Sequence, residues 1–213
     1  MNIEFRQVVP AFLAGTTNLQ SDVWGSDFLL HPGERVLVRA QSGKGKTTFV
    51  SYLFRLRGGY KGTILVDGKD LSSYTLEETA LLRQQTISLV FQELRLLEDF
   101  TVKENLELKM KLTGGASPEE AQAMLRELGV EEFWNRPCRL LSFGQRQRVS
   151  IVRSLLQPFN WLVLDEPFSH LDEANIAKAM GLINRACEAR NAGFILTSLG
   201  GDYNGNYNRI FNL

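Results

Sequence analysis

The sequence predicts an α/β fold with a largely parallel core sheet, and three observations carry that reading. Short β-like runs alternate with longer helical patterns along most of the chain. One run, Trp161 to Leu164, is wholly apolar, as expected of a strand covered on both faces, and Phe194 to Ser198 opens with a similar apolar run. A glycine-rich loop stands between a predicted strand and a predicted helix.

Taken in order, strands are predicted over Ile3 to Val9, Asp27 to Leu30 and Arg35 to Arg39, the last two separated by the turn His31-Pro32-Gly33-Glu34. A helix is expected from Lys46 to about Arg57, then a strand over Gly62 to Val66 that bends at Asp67-Gly68. Gln92 to Leu156 holds several helix starts and almost no strand pattern, so an inserted helical lobe is expected there. Thr101 to Glu104 and Ser117 to Glu120 have the spacing of capping boxes, and Pro118 suits a first helical position. After the two apolar strands comes a Gly/Asn-rich bend, Gly200 to Asn208, and a last strand, Arg209 to Leu213. No stretch is left over for a C-terminal regulatory domain, so a single domain over residues 1–213 is expected.

Composition narrows the function classes. The 213 residues carry 24 basic and 24 acidic side chains, which leaves no net positive field for nucleic acid. Residues 1–20 interrupt their apolar content with Glu4, Arg6 and Pro10, unlike a secretory signal. No apolar run approaches the roughly 18 to 20 residues of a membrane-spanning helix. Cys138 and Cys187 lie far apart and outside metal or redox spacings, so both are expected to fill space as buried thiols.

The chemistry-bearing residues begin with Ala40-Gln41-Ser42-Gly43-Lys44-Gly45-Lys46-Thr47-Thr48, a phosphate-binding loop in its proper strand-to-helix context. Gly43 and Gly45 let the backbone approach phosphates, and the amides at the helix start present positive partial charge. Lys46 is expected to reach the β and γ phosphates, the Thr47 hydroxyl to ligate Mg²⁺, and Thr48 to support the loop near the α phosphate. Ala40 stands where such loops usually carry glycine; a methyl group there would cost on the order of 1 kcal/mol if the backbone needs positive φ. Asp165-Glu166-Pro167 follows the apolar strand. Asp165 is expected to hold a water of the Mg²⁺ shell, and Glu166 to face the γ phosphate and orient the attacking water.

Leu141-Ser142-Phe143-Gly144-Gln145 resembles LSGGQ, the signature of the ABC transporter ATPases, and lies just before the acidic strand as in that family. The same residues also read as a capping box that opens an amphipathic helix. The resemblance runs over nearly the whole chain: Phe91-Gln92 matches the Q-loop, whose glutamine approaches Mg²⁺ and the attacking water, and Ser169-His170-Leu171-Asp172 matches the D-loop. Phe12 is either the aromatic ring that stacks on adenine in that family or a core residue. Leu65 to Leu71, Leu82-Arg83 and Leu89 to Gln92 look most like the lipoprotein-release, macrolide-efflux and cell-division branch.

That resemblance implies a P-loop NTPase fold of the ABC ATPase type, with an N-terminal antiparallel β region, a mostly parallel core sheet and a helical subdomain at about 92–156. It implies ATP and Mg²⁺ as ligands and ATP hydrolysis as the reaction. It further implies a homodimer or heterodimer in which Ser142 to Gln145 and Asp172 meet the partner's nucleotide. A transmembrane permease would hold the protein at the cytoplasmic face of the membrane. Two departures bear on mechanism. Phe143 replaces a signature glycine, and Leu199 stands where the family usually carries a histidine that contacts the γ phosphate, so slow hydrolysis is expected. A nucleotide-dependent clamp on a membrane partner without solute transport is the rival reading. A small-molecule kinase is a more distant one.

Overall fold

The computed structural model describes residues 1–15, 20–41 and 43–213. Two sheets organise it. β1 (Ile3–Pro10), β2 (Phe28–Leu30), β4 (Tyr60–Val66) and β5 (Lys69–Asp70) form an antiparallel sheet in the order β2-β1-β4-β5. β3 (Arg35–Arg39), β6 (Ile87–Val90), β7 (Trp161–Asp165), β8 (Gly193–Ser198) and β9 (Arg209–Asn212) form a parallel sheet in the order β6-β7-β8-β3-β9. The expected combination of a parallel core sheet with an N-terminal antiparallel region is therefore present.

Strands β6, β7, β8 and the middle of β3 are buried on both faces, which explains their largely apolar sequences, whereas the edge strand β9 is partly exposed. Trp161 and Val163 of β7 and Ile195 of β8 join Phe5, Trp24, Phe49 and Tyr52 in one core layer. Leu162, Leu164, Phe194 and Leu196 point to the other layer. There they pack with helices α3 (Val102–Thr113), α4 (Pro118–Glu127), α5 (Phe143–Leu155) and α6 (Glu173–Arg190). Residues 92–156 contain these first three helices and one isolated bridge, Thr101 to Pro137. Their apolar faces continue directly into the core beneath the sheet.

Helix starts follow local chemistry closely. Thr101, Ser117 and Ser142 each accept from the amide three residues on, and Glu104, Glu120 and Gln145 each return a bond to the cap's own N–H. The helix after the phosphate loop, α1 (Lys46–Leu53), stops four residues short of the expected Arg57. The cause is Arg55, which turns left-handed at φ 52°. Its guanidinium then donates to the carbonyls of Ser72 and Tyr74 and to the Thr79 hydroxyl, tying the helix end to a segment that includes the short helix α2 (Leu76–Leu81).

α3 and α5 meet over a groove lined by Phe54, Phe91, Leu97, Leu108, Lys109 and Arg153, among others. Burial, reinforced by the charge of Arg153, lowers the Lys109 ammonium to about 8 from its ordinary 10.5. Below about 8 the buried charge costs stability in full, and the cost is relieved as pH climbs toward 10.5. Lys109→Met keeps the aliphatic stem that covers the groove. It is expected to raise stability at pH 7 by on the order of 1 to 2 kcal/mol once solvent screening is allowed for. Urea unfolding at pH 7 and pH 9.5 checks this, the gain being smaller at the higher pH.

Candidate nucleotide site

The phosphate loop leaves β3 at Ala40, whose N–H bonds to the Ser198 carbonyl at 3.1 Å and pins the loop to the end of β8. Gly45 caps α1 with φ 103°, a conformation closed to most side chains, and no side chain caps the helix start. The first amides of α1 are thus left for an anionic ligand. Ser42 lies outside the described residues.

Lys46 is 5% exposed. Its Nζ donates to the carbonyls of Ala40 at 2.7 Å and Gln41 at 3.1 Å, and pairs with Glu166 Oε1 at 3.2 Å. A buried ammonium with two carbonyls and a carboxylate around it is held in one orientation. Next to it the Thr47 hydroxyl donates to Gln92 Oε1 at 3.3 Å. A cavity of about 210 Å³ is lined by Phe12, Gly43, Gly45, Lys46, Thr47, Thr48, Gln92 and Glu166. Phe12 is 58% exposed at its rim, which answers the question left open by sequence: the ring is not a core residue.

The acidic pair is set by the strand pairing of β7 with β8. Asp165 lies opposite Thr197 in the parallel register. The Thr197 hydroxyl donates to Asp165 Oδ1 at 2.8 Å and accepts from the Glu166 N–H at 3.1 Å. Burial raises the Asp165 carboxyl above its ordinary range, and the hydroxyls of Thr197 and Thr47 oppose that rise. Glu166 itself adopts φ 48°, a sparsely populated conformation for a residue with a side chain, immediately before Pro167.

Other expected site residues lie away from this cavity. Ser142 is exposed at the start of α5, with Phe143, Gly144 and Gln145 partly exposed beside it, and none of the four lines the cavity of its own chain. Asp172 caps α6, accepting from the Asn175 N–H at 2.8 Å. Ala40, Gln41 and Lys44 border a separate depression with Arg39 and Leu199. Leu199 is 55% exposed.

Two residues that sequence reasoning passed over belong to the same framework. Thr197 is one, a hydroxyl inside an apolar strand whose purpose emerges only from the register. The other is Gln147, 1% exposed. Its Nε2 donates to the Glu166 carbonyl and the Ser169 hydroxyl at 3.3 Å, and its Oε1 accepts from the His170 N–H at 3.3 Å. A glutamine among the buried positions of the helix, which otherwise hold apolar residues and the small serines Ser150 and Ser154, is the one signal that could have pointed to it.

A lysine-bearing loop at a helix start, facing an acidic pair at the end of the parallel strand one place beyond its neighbour, defines a P-loop nucleotide site. The family model described as ABC transporter matches residues 24–169. The chain belongs to the ABC transporter ATPase family. It is 30% identical over 176 residues to the lipoprotein-releasing system ATP-binding protein LolD of Coxiella burnetii, covering 81% of this chain and 76% of that protein. It is 33% identical over 173 residues to the cell division ATP-binding protein FtsE of Bacillus subtilis, covering 80% and 74%. Both relatives fall in the branch that the sequence resembles. Among solved structures, the dimer of MJ0796, a bacterial ABC transporter cassette, matches with a TM-score of 0.85 at 26% identity over 99% of this chain and 94% of the cassette. A post-hydrolysis dimer of the same cassette bound to ADP and Pi gives 0.83 at 25% identity, with the same coverage.

Thr197→Val removes the donor to Asp165 and the acceptor of the Glu166 amide together. Because burial already holds Asp165 high, its ionised form costs stability that grows as pH rises past the unfolded carboxylate value, and Thr197 offsets part of that cost. The variant is expected to lose about 1 to 3 kcal/mol at pH 7.5. Urea titrations in metal-free buffer check this, the loss shrinking as pH falls and the raised Asp165 carboxyl takes up its proton.

Proposed function

We propose that the chain is the ATP-hydrolysing subunit of a membrane transport system, closing head to tail with a second copy or a homologue around two Mg-ATP molecules and opening after hydrolysis to move a permease. The observation that carries this is the convergence of Lys46, Thr47, Gln92 and Glu166 on one small cavity at the start of α1. Residues 1–213 act as one domain in this reading, with 92–156 as its helical subdomain. LolD is named for lipoprotein release and the MJ0796 cassette was solved as a dimer, which supports both the permease and the pairing. The permease places the chain at the cytoplasmic face of the membrane.

In this reading Lys46 exchanges its loop carbonyls and Glu166 for the β and γ phosphate oxygens, and residues 40–48 wrap the triphosphate with their amides. Phe12 stacks on the base. The Thr47 hydroxyl, Gln92 amide oxygen and Asp165 carboxylate are hard oxygen donors grouped at one end of the site, a set that fits Mg²⁺. When bound, the ion neutralises charge on the β and γ phosphates. Glu166, released from Lys46, orients the attacking water. Ser142 to Gln145 and Asp172 face the nucleotide of the opposite subunit, which accounts for their distance from their own cavity.

The geometry also supports slow turnover. Leu199 offers no hydrogen bond at the end of β8, so one γ-phosphate contact is missing. The kinship to FtsE favours a second reading, a nucleotide-dependent clamp that acts on a membrane partner without moving a solute.

Lys46→Ala is expected to weaken ATP binding by about two orders of magnitude in equilibrium dialysis. Glu166→Gln keeps binding, lowers turnover by about 10² or more, and accumulates a dimer in Mg-ATP by light scattering. Rapid hydrolysis by the isolated protein that Glu166→Gln leaves untouched would overturn the assignment. Leu199→His is expected to raise phosphate release by about tenfold, the worth of one hydrogen bond to a charged group. An unchanged rate would show that the missing imidazole does not limit turnover.

A further inference from the structure

The ring that departs from the signature lies on a ring of the D-loop match. Phe143, in the first turn of α5, and His170, in the turn after β7, have ring centroids 4.2 Å apart and planes inclined at 52°. Arg146 covers the Phe143 ring at 5.6 Å and is itself held by Glu98 at 2.7 Å. The Ser169 hydroxyl lies 2.9 Å from His170 Nδ1 and fixes the imidazole from the other side. Beneath the rings the backbones also meet: a Cβ on Gly144 would come within 2.9 Å of the His170 carbonyl. The buried Gln147 then bonds the His170 N–H and the Ser169 hydroxyl from the next turn of α5.

We propose that Phe143 and His170 are a matched positioning pair that fixes the exposed start of α5, with Ser142, to the 169–172 turn, so that both are offered to a second copy of this chain as one rigid surface. The inference rests on the head-to-tail reading above and adds to it. The bulky ring in the signature does not stand free in the path of closure, because His170 of the same chain takes it up. Removing either ring leaves the other without its partner and lets the helix start and the turn move separately. The pair acts on nucleotide through Ser142 and is not itself a catalytic group.

The test is a double-mutant cycle in the Glu166→Gln protein, with the dimer dissociation constant in saturating Mg-ATP measured by sedimentation and the urea midpoint of each variant measured alongside. Phe143→Ala and His170→Ala are each expected to weaken the dimer by about three- to tenfold, and the double variant by little more than one of them. His170→Phe keeps a ring and is expected to dimerise within about twofold of the parent. Losses that multiply in the double variant, or a His170→Phe protein as weak as His170→Ala, overturn the pair while leaving the dimer intact. A parent that stays monomeric in Mg-ATP overturns the head-to-tail reading, and the pair with it.

Discussion

The arrangement of the whole site depends on one buried ammonium. Lys46 sits almost out of solvent among two loop carbonyls and the Glu166 carboxylate. An isolated charge in such a place would be expensive, and a buried ion pair seldom adds much net stability even when well made. Its value is geometric. The same three acceptors that satisfy the ammonium also hold the first residues of the phosphate loop against the acidic turn after β7. A triphosphate offers more acceptor oxygens and more charge than this set, so in the proposed reading binding would draw Lys46 from these partners to the phosphates. That exchange would leave Glu166 free, which links occupation of the loop to activation of the carboxylate through a single side chain.

Such an arrangement needs three strand ends to arrive at the same level, and the parallel sheet supplies them. β3 delivers the loop, β7 the acidic pair and β8 the threonine that supports it, all at their carboxyl ends. Burial of β7 and β8 on both faces makes the register stiff, since a slip of one residue would turn Trp161 and Val163 out of one core layer and Leu162 and Leu164 out of the other. The large apolar core therefore does more than stabilise the fold. It fixes the height of Asp165 relative to Thr197 and so the direction in which Glu166 leaves the strand.

What could be read from the residues alone follows from how local its causes are. The capping boxes at Thr101, Ser117 and Ser142 involve partners three residues apart, and all three form as expected. The phosphate loop is likewise a short, self-contained instruction. The end of α1 was not legible, because Arg55 turns to meet the segment around Ser72 to Thr79, close only after folding. Thr197 and Gln147 were invisible for the same reason: each is an ordinary polar residue until strand register and helix packing place it against the acidic turn. The role of Phe12 could not be fixed from spacing, since core and rim aromatics look alike in a sequence.

The two departures from the family pattern show why a substitution must be weighed with its surroundings. Phe143 reads in isolation as an obstruction, yet His170 of the 169–172 turn provides a surface for the ring, and Arg146 also lies over it. Leu199 has no such answer. It stands largely exposed at the end of β8, and the neighbouring Ser198 hydroxyl is engaged within its own turn, donating to the Gly201 carbonyl and accepting from the Gly200 N–H. One departure is absorbed by a neighbour and the other is not. In the proposed reading, the closing surface keeps its shape while the γ phosphate lacks one donor.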